Sequence, residues 1–211
     1  ELVDYLRIDV SHAGGITEAK KILASGEMHG QRSALHHASS PINGVVCLHL
    51  DMAVPNFGIQ EWMEVEALYD LCFAPGRTAL SSYRLRDGVP TVAPLCLTLR
   101  DDDRALAAVI RYWPALIGEH DVLLLGPVAV HPTHQGEGLG ALLINESLGE
   151  ARRLGWERVM LVGDAPYYAR FGFRKLEGVA MPPPTNPDRI LGLDLKAGAW
   201  EGVSGVVTKA T

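Results

Sequence analysis

Tyr5-Leu6-Arg7-Ile8-Asp9-Val10 alternates apolar and polar positions like a strand with one wet face. Residues 11–15 read as a loop, and Thr17 stands as the N-cap of a helical run to Leu23. A short strand over 33–36 and an apolar-rich helix over 42–54 follow. Strand, helix, strand, helix is the rhythm of parallel α/β units. Beyond residue 61 the pattern changes. Short helices are predicted over 65–73 and 79–86, then strands over 93–99, 105–112 and 122–130. Asp101-Asp102-Asp103 is a polar turn that should close the first two of these strands into an antiparallel hairpin. A loop over 131–136 leads into a long helix over 138–154, with Ala141, Ile144, Leu148 and Ala151 as its buried stripe. A strand over 158–162, a short helix over 166–171 and strands over 173–176 and 190–195 complete the pattern, with a proline-rich loop over 181–187. There are no internal repeats.

Composition narrows this picture. The 211 residues suffice for one domain, or for one domain plus a fragment. A hydrophobic share of 47% against 21% charged residues is that of a globular chain. The net charge of −6 supplies no global basic field, so neither nucleic acid nor an anionic membrane is expected as a partner. Cys47, Cys72 and Cys96 form no disulfide framework and no zinc-knuckle spacing, which points to a reducing, cytoplasmic setting. The longest apolar stretch, 122–130, is broken by Gly126 and Pro127 and falls far short of the ~18 residues of a membrane span. The sequence opens on Glu1 inside an apolar run, as expected of a truncation or a fusion scar.

The strongest chemical signal is Val128-Ala129-Val130-His131-Pro132-Thr133-His134-Gln135-Gly136-Glu137-Gly138-Leu139-Gly140. A buried strand runs into a glycine-rich turn that opens a helix. Glycines let a ligand approach the backbone, and the first N–H groups of the helix converge with its dipole on one point, a site suited to a pyrophosphate. No Gly-Lys-Ser/Thr follows, so the P-loop chemistry of lysine and magnesium is absent. Gly136-Glu-Gly138-Leu-Gly140-Ala141 fits a dinucleotide string, but the nearest acid, Glu157, precedes the next strand instead of ending it.

Gln135-Gly136-Glu137-Gly138-Leu139-Gly140 resembles the Gln/Arg-x-x-Gly-x-Gly/Ala signature of the GNAT family of N-acetyltransferases. Val128-Ala129-Val130-His131-Pro132 before it and Tyr168-Ala-Arg-Phe-Gly172-Phe173 after it resemble the flanking blocks of that family, in order and at the right spacing. The resemblance covers about residues 64–211 and implies a mixed central α/β sheet flanked by helices, as a domain over 62–211. It implies acetyl-CoA as co-substrate, no metal, and transfer of the acetyl group to a primary amine of a small molecule or protein by direct attack. The pantetheine would pair with Val128, Ala129 and Val130 where two central parallel strands splay, and Gly126-Pro127 fits a bulge there. Gln135, Gly136, Glu137, Gly138, Leu139, Gly140 and Ala141 would hold or shape the pyrophosphate turn. The alternative is an acetyl-CoA-binding module without catalysis.

By the same resemblance, backbone N–H groups near 128–130 would hold the oxyanion, and Tyr168 would protonate the departing thiolate. A phenol of reference pKa near ~10 is a competent donor for that step. The base is open. Many relatives carry a glutamate early on the central strand, where this chain has Leu123-Leu124-Leu125. Glu119, His120 and Asp121 lie before that stretch and His131 and His134 after it, each able to relay a proton through water. Asp164 falls near a pantetheine-contacting asparagine of relatives. The loops expected to define the acceptor, 74–82 and 181–189, carry no strong charge pattern.

Residues 3–17 and 48–61 resemble a second family, the last barrel strands of acid-sugar dehydratases in the enolase superfamily, such as mannonate dehydratase. Residues 1–61 are therefore read as an incomplete (β/α)-barrel fragment that precedes the acetyltransferase in a fusion. His36 and Glu61 fall where such relatives contact the sugar acid, but the carboxylates that hold Mg²⁺ there come from strands outside this segment. Some 60 residues form only a marginal core, so the fragment is expected to be non-catalytic and the less ordered part; a dehydratase remnant that still binds a sugar acid is the remaining alternative. No strand directly precedes Val65, where acetyltransferase relatives begin with one. The barrel-like segment substitutes for it, packs loosely or leaves a sheet edge exposed.

Overall fold

The computed structural model describes residues 3–36, 41–58, 64–73 and 75–210. The chain divides into two compact units, Glu1–Asp70 and Leu71–Thr211. In the first, β1 (Tyr5–Leu6), α1 (Ile16–Met28), β2 (Arg32–Ser33) and α2 (Pro41–Ala53) follow in the expected order. The two strands are parallel, with Tyr5 opposite Arg32 and Leu6 opposite Ser33. Regular pairing is shorter than the alternation suggests, although single bonds continue it: Ala34 N–H donates to Leu6 O at 2.9 Å and His36 N–H to Ile8 O at 2.8 Å. Thr17 is not the cap of α1. Gly15, at φ 98°, occupies that position, and the helix runs five residues past Leu23. Glycine tolerates this backbone, and its carbonyl accepts from Ala19 N–H at 3.0 Å. Ile8, Val10, Ala19, Leu23, Leu35, Cys47 and Leu50 form the core of this unit. Glu61 and the expected junction at 61–62 lie outside the described residues.

α3 (Glu64–Cys72) spans the division, and α4 (Ser81–Arg86) opens the second unit's regular structure. β3 (Leu97–Arg100) is preceded by a 3-10 turn at Ala93–Leu95 where the periodicity suggests strand. Pro94 removes a ladder donor there. β4 (Leu106–Ile117) and β5 (His120–Val130) are both longer than expected, since Arg111 and Pro114 interrupt the pattern without breaking the strand. α5 (Leu139–Arg153), β6 (Arg158–Val162), α6 (Ala165–Ala169), β7 (Arg174–Lys175) and β9 (Ile190–Asp194) fall where the sequence places them. β8 (Val179–Ala180) and β10 (Gly205–Lys209) were not legible, being too short or too glycine-flanked to show a period.

The main sheet runs β7-β9-β6-β5-β4-β10-β8, and β3 also pairs with β4. The β3–β4 hairpin closed by the aspartates is antiparallel as expected. β4 offers one half of its outer edge to β3 and the other, at Ala115–Ile117, to β10. Among the described residues no further strand pairs with β3, so its outer edge is open.

Both faces of the sheet centre are covered, which explains the unbroken leucine run of β5. Leu123 and Leu125 face α5 together with Val159, Leu161, Leu143, Ile144 and Leu148. Val122 and Leu124 face the other way, onto Met160, Leu176, Trp200 and Val207. In α5, Leu143 and Ser147 are buried and Ala141 is only partly so, which shifts the expected stripe by a residue or two. The Ser147 hydroxyl is satisfied by Tyr112 Oη at 2.8 Å and Leu143 O at 2.7 Å. Burial raises the Tyr112 phenol well above its ordinary value.

The first unit holds a two-stranded ladder and a small core, whereas β4 and β5 pair along most of their length between two packed layers. Hydrogen exchange of the β1 and β2 amides should therefore be faster than that of β4 and β5 by at least ~100-fold in protection. Equal protection in both units, measured by mass spectrometry, would show the fragment to be as cooperatively ordered as the sheet.

Candidate functional site

β5 and β6 run parallel but pair at only two positions, Leu123 with Val159 and Leu124 with Met160. Arg158 fastens them at that end. It is buried, and it donates to Asp121 O at 2.9 Å and to Ala199 O at 2.8 Å. Past Leu124 the strands separate. On the β4 side, Ile110 pairs with Val128 and Tyr112 with Leu125, so Gly126 and Pro127 together oppose Arg111. This is the expected bulge: Gly126 takes φ 113°, and Pro127 has no N–H to give. A gap is left on the β6 side of Val128–Val130.

A cavity of about 440 Å³ opens from that gap. Of the residues expected to bind acetyl-CoA, Val128, Val130, Gln135, Gly136, Gly138, Leu139, Gly140 and Ala141 line it. Gly138 caps α5 at φ 83° and Gly136 stands at φ 91°, backbone that side chains rarely adopt. Leu142 N–H is the first to bond within the helix, to Gly138 O at 3.0 Å. The N–H groups of Leu139, Gly140 and Ala141 are thus the orphan donors of the helix start. Gly140 keeps the wall thin, because a Cβ there would meet the Tyr167 hydroxyl at 3.3 Å and Val130 at 3.4 Å. Gln135 reaches back from the turn and donates to Val130 O at 3.3 Å.

Two of the expected residues do not line the cavity. Ala129 is buried on the opposite side of β5 and paired with Val109. The Glu137 carboxylate accepts from His134 Nδ1 at 3.2 Å and lies outside. His134, which the sequence offers as a proton relay and not as a cofactor contact, joins the lining, as do Tyr167 and Arg170, to which the loop motif does not point. The Arg170 guanidinium lies 4.1 Å from the Tyr167 ring centroid. Its only sequence signal is its place two residues after Tyr168 in an aromatic block.

Tyr168 stands between this cavity and a second one of about 290 Å³, and both share Val128 as well. Its ring lies against Gly163, where any Cβ would collide with it, and packs edge-on to Tyr167 and Phe173. Burial pushes its phenol up to about 12; Tyr167 adds to the shift and Arg189 opposes it. The hydroxyl therefore keeps its proton throughout the neutral range. The second cavity draws on both loops expected to define an acceptor site, through Arg77, Leu80 and Ser82 from one and Arg189 from the other. Asp164 lines this second cavity and not the first.

The candidate bases separate cleanly. Glu119, His120 and Asp121 border a different cavity at the far end of β5, about 20 Å along the strand from Gly126. His131 is turned onto Thr133 Oγ1 at 2.7 Å. His134 is held between Glu137 and Asp101, with Nε2 3.5 Å from Asp101 Oδ2. His36, in the first unit, is bonded to Asp9 Oδ2 at 3.0 Å.

The hydrogen bond from His134 to Glu137, with Asp101 assisting, raises the imidazole above its ordinary 6.5. A raised value means that this contact stabilises fully below the ordinary pKa and is lost as pH climbs through the raised one. NMR titration should find His134 above 6.5, and Glu137→Gln should bring it down towards that value. A His134 pKa that ignores the substitution would refute the pairing.

The acetyltransferase (GNAT) family model matches residues 62–173, and an enolase C-terminal domain-like model matches residues 1–93, so the two matches share residues 62–93. The solved structure of a GNAT family N-acetyltransferase from Escherichia coli in complex with CoA is 26% identical, with a TM-score of 0.60 over 70% of this chain and 83% of that one. A D-mannonate dehydratase of a Caulobacter species is 40% identical over 116 residues, which cover 53% of this chain. Another from Caulobacter vibrioides is 48% identical over 65 residues, 30% of this chain. The matched pieces span only 27% and 16% of those dehydratases. With a family match over more than half its length and a fold shared with a CoA-bound relative, this chain belongs to the GNAT acetyltransferase family.

Proposed function

We propose that the chain is an acetyl-CoA-dependent N-acetyltransferase that moves the acetyl group to a primary amine by direct attack. The observation that carries this reading is the meeting of two cavities at Val128 and Tyr168, one that includes the start of α5 and one that includes Arg77 and Arg189. The E. coli relative was crystallised with CoA, which supports acetyl-CoA as the occupant of the larger cavity.

In this reading the pyrophosphate takes the N–H groups at 136–141, and the pantetheine pairs with the backbone of Val128–Val130 that β6 leaves free. The amine enters from the second cavity. Its lone pair attacks the thioester carbonyl, whose oxyanion is held by backbone N–H groups near 128–130. The C–S bond then breaks, Tyr168 gives its proton to the thiolate, and the proton lost by the amine passes to water. No step requires a metal.

Residues 1–61 are proposed to be an enolase-like segment that supplies no group to the acetyl transfer; the matched pieces span 27% and 16% of the dehydratases they resemble. The unpaired Cys47, Cys72 and Cys96 fit a cytoplasmic setting, and none of the described helices is long and apolar enough to cross a membrane.

Two measurements test the proposal. Acetyl-CoA at about 100 times its Kd should add about 2.7 kcal/mol of apparent stability, seen as a raised melting temperature. Gly138→Glu, which forces a side chain and a negative charge onto the turn, should abolish that shift. In a thiol-release assay over a panel of amines, Tyr168→Phe should lower kcat by about 100-fold or more while leaving the acetyl-CoA KM nearly unchanged. A thermal shift without turnover on any amine would instead favour an acetyl-CoA-binding module.

A further inference from the structure

The second cavity carries a charge pattern that the sequence does not display. Three arginines line it, Arg77, Arg86 and Arg189, against one acid, Asp164. They come from three separate stretches of chain, and only the fold brings them together. Arg77 and Arg86 flank one aromatic ring, their guanidinium carbons 5.2 and 4.9 Å from the Tyr83 centroid. Arg77 also donates to Tyr83 Oη at 2.8 Å. Both guanidinium groups are held against that ring.

Arg189 is placed differently. Its Nε donates to Gly163 O at 3.2 Å, which fixes the plane of the guanidinium beside the Tyr168 ring that packs on Gly163. Among the described residues, none accepts from its two terminal nitrogens. Its charge acts on the Tyr168 phenol, so it sits near the point where the two cavities meet. The loop that carries it is tied down. Arg84 donates to Pro183 O, Ser81 Oγ lies 2.5 Å from Thr185 Oγ1, and Arg189 N–H donates to Asn186 O at 3.1 Å. A guanidinium fixed through Nε presents its outer edge as a two-pronged donor, the fork that matches an oxyanion.

Size sets the other limit. About 290 Å³ is at the small end of ligand cavities and fits a molecule of amino-acid size better than a folded partner. We propose that the acceptor is a small amine that also bears an oxyanion, a carboxylate or a phosphonate, within a few bonds of its nitrogen. Arg189 binds that group and thereby points the amine at the junction of Val128 and Tyr168. The inference rests on the second cavity being the acceptor site.

The test compares matched acceptors in the thiol-release assay: glycine and aminomethylphosphonate against glycinamide, and L-methionine and L-phenylalanine against their amides. The anionic member of each pair should have the lower KM, by about tenfold or more. Arg189→Gln should erase that preference, and Arg189→Lys should keep part of it. A thermal shift with acetyl-CoA in both variants shows that they are folded. The ratio between glycine and aminomethylphosphonate tells which oxyanion is preferred. Equal KM values within each pair, or a preference that survives Arg189→Gln, overturns the inference and leaves the transferase reading intact. Should no amine be acetylated, calorimetric titration of glycine, L-methionine and L-phenylalanine into the CoA-loaded protein decides separately. Binding lost in Arg189→Gln sustains the ligand class, and no binding overturns it.

Discussion

β5 and β6 pair at two positions and then part, and the rest of the second unit is arranged around that separation. Arg158 and the Leu123–Val159 and Leu124–Met160 register hold the strands together at one end. Beyond it, the two-residue bulge at Gly126-Pro127 interrupts the β4–β5 register, and residues 128–130 stay paired with β4 on one side while they face a gap on the β6 side. Backbone donors and acceptors left without a partner are costly unless water or a ligand satisfies them. One such group already has partners: Val130 O accepts from Gln135 Nε2 and from Cys72 Sγ, each at 3.3 Å.

Rigid supports surround the gap. α5 is anchored by its leucine stripe and by the buried Tyr112–Ser147 contact, so the helix start at Gly138 cannot drift relative to the sheet. Tyr168 is held by Gly163 and its aromatic neighbours, and Arg189 by the carbonyl of the same glycine. The two cavities use opposite means. The larger one includes the helix start at Gly138–Ala141 and a single arginine, Arg170, while three arginines are among the residues that line the smaller one. A net charge of −6 is no obstacle to either, because both fields are local.

The first unit stands on different physics. Among the described residues its buried core numbers seven, and α2 leaves Ile42, Val45, Leu48 and Met52 exposed at helical spacing. A core of that size has little apolar area to set against the entropy of ordering its chain. Its similarity to dehydratases is clear in sequence, yet the similarity extends over a small part of those enzymes.

Local pattern was enough for much of this protein. The alternation of residues 5–10, the helical stripe of α5 and the aspartate turn each report their own structure, because a strand or helix face is set by neighbours two to four positions away. The glycine-rich turn was legible for the same reason: Gln135 to Ala141 is one continuous segment whose glycines announce its backbone. What lay beyond reading depends on partners distant in the chain. β10 is defined by Ala115–Ile117, some ninety residues earlier. Glu137 and Ala129 belong to the motif, but only the packing of His134 and β4 shows that they face away from the cavity. The loops 74–82 and 181–189 show no strong charge pattern in sequence because each holds a single arginine. Arg77 and Arg189, joined by Arg86 from α4, become a site only when the sheet sets them around one space. Charge convergence is a property of three-dimensional distance, and the tertiary structure alone decides it.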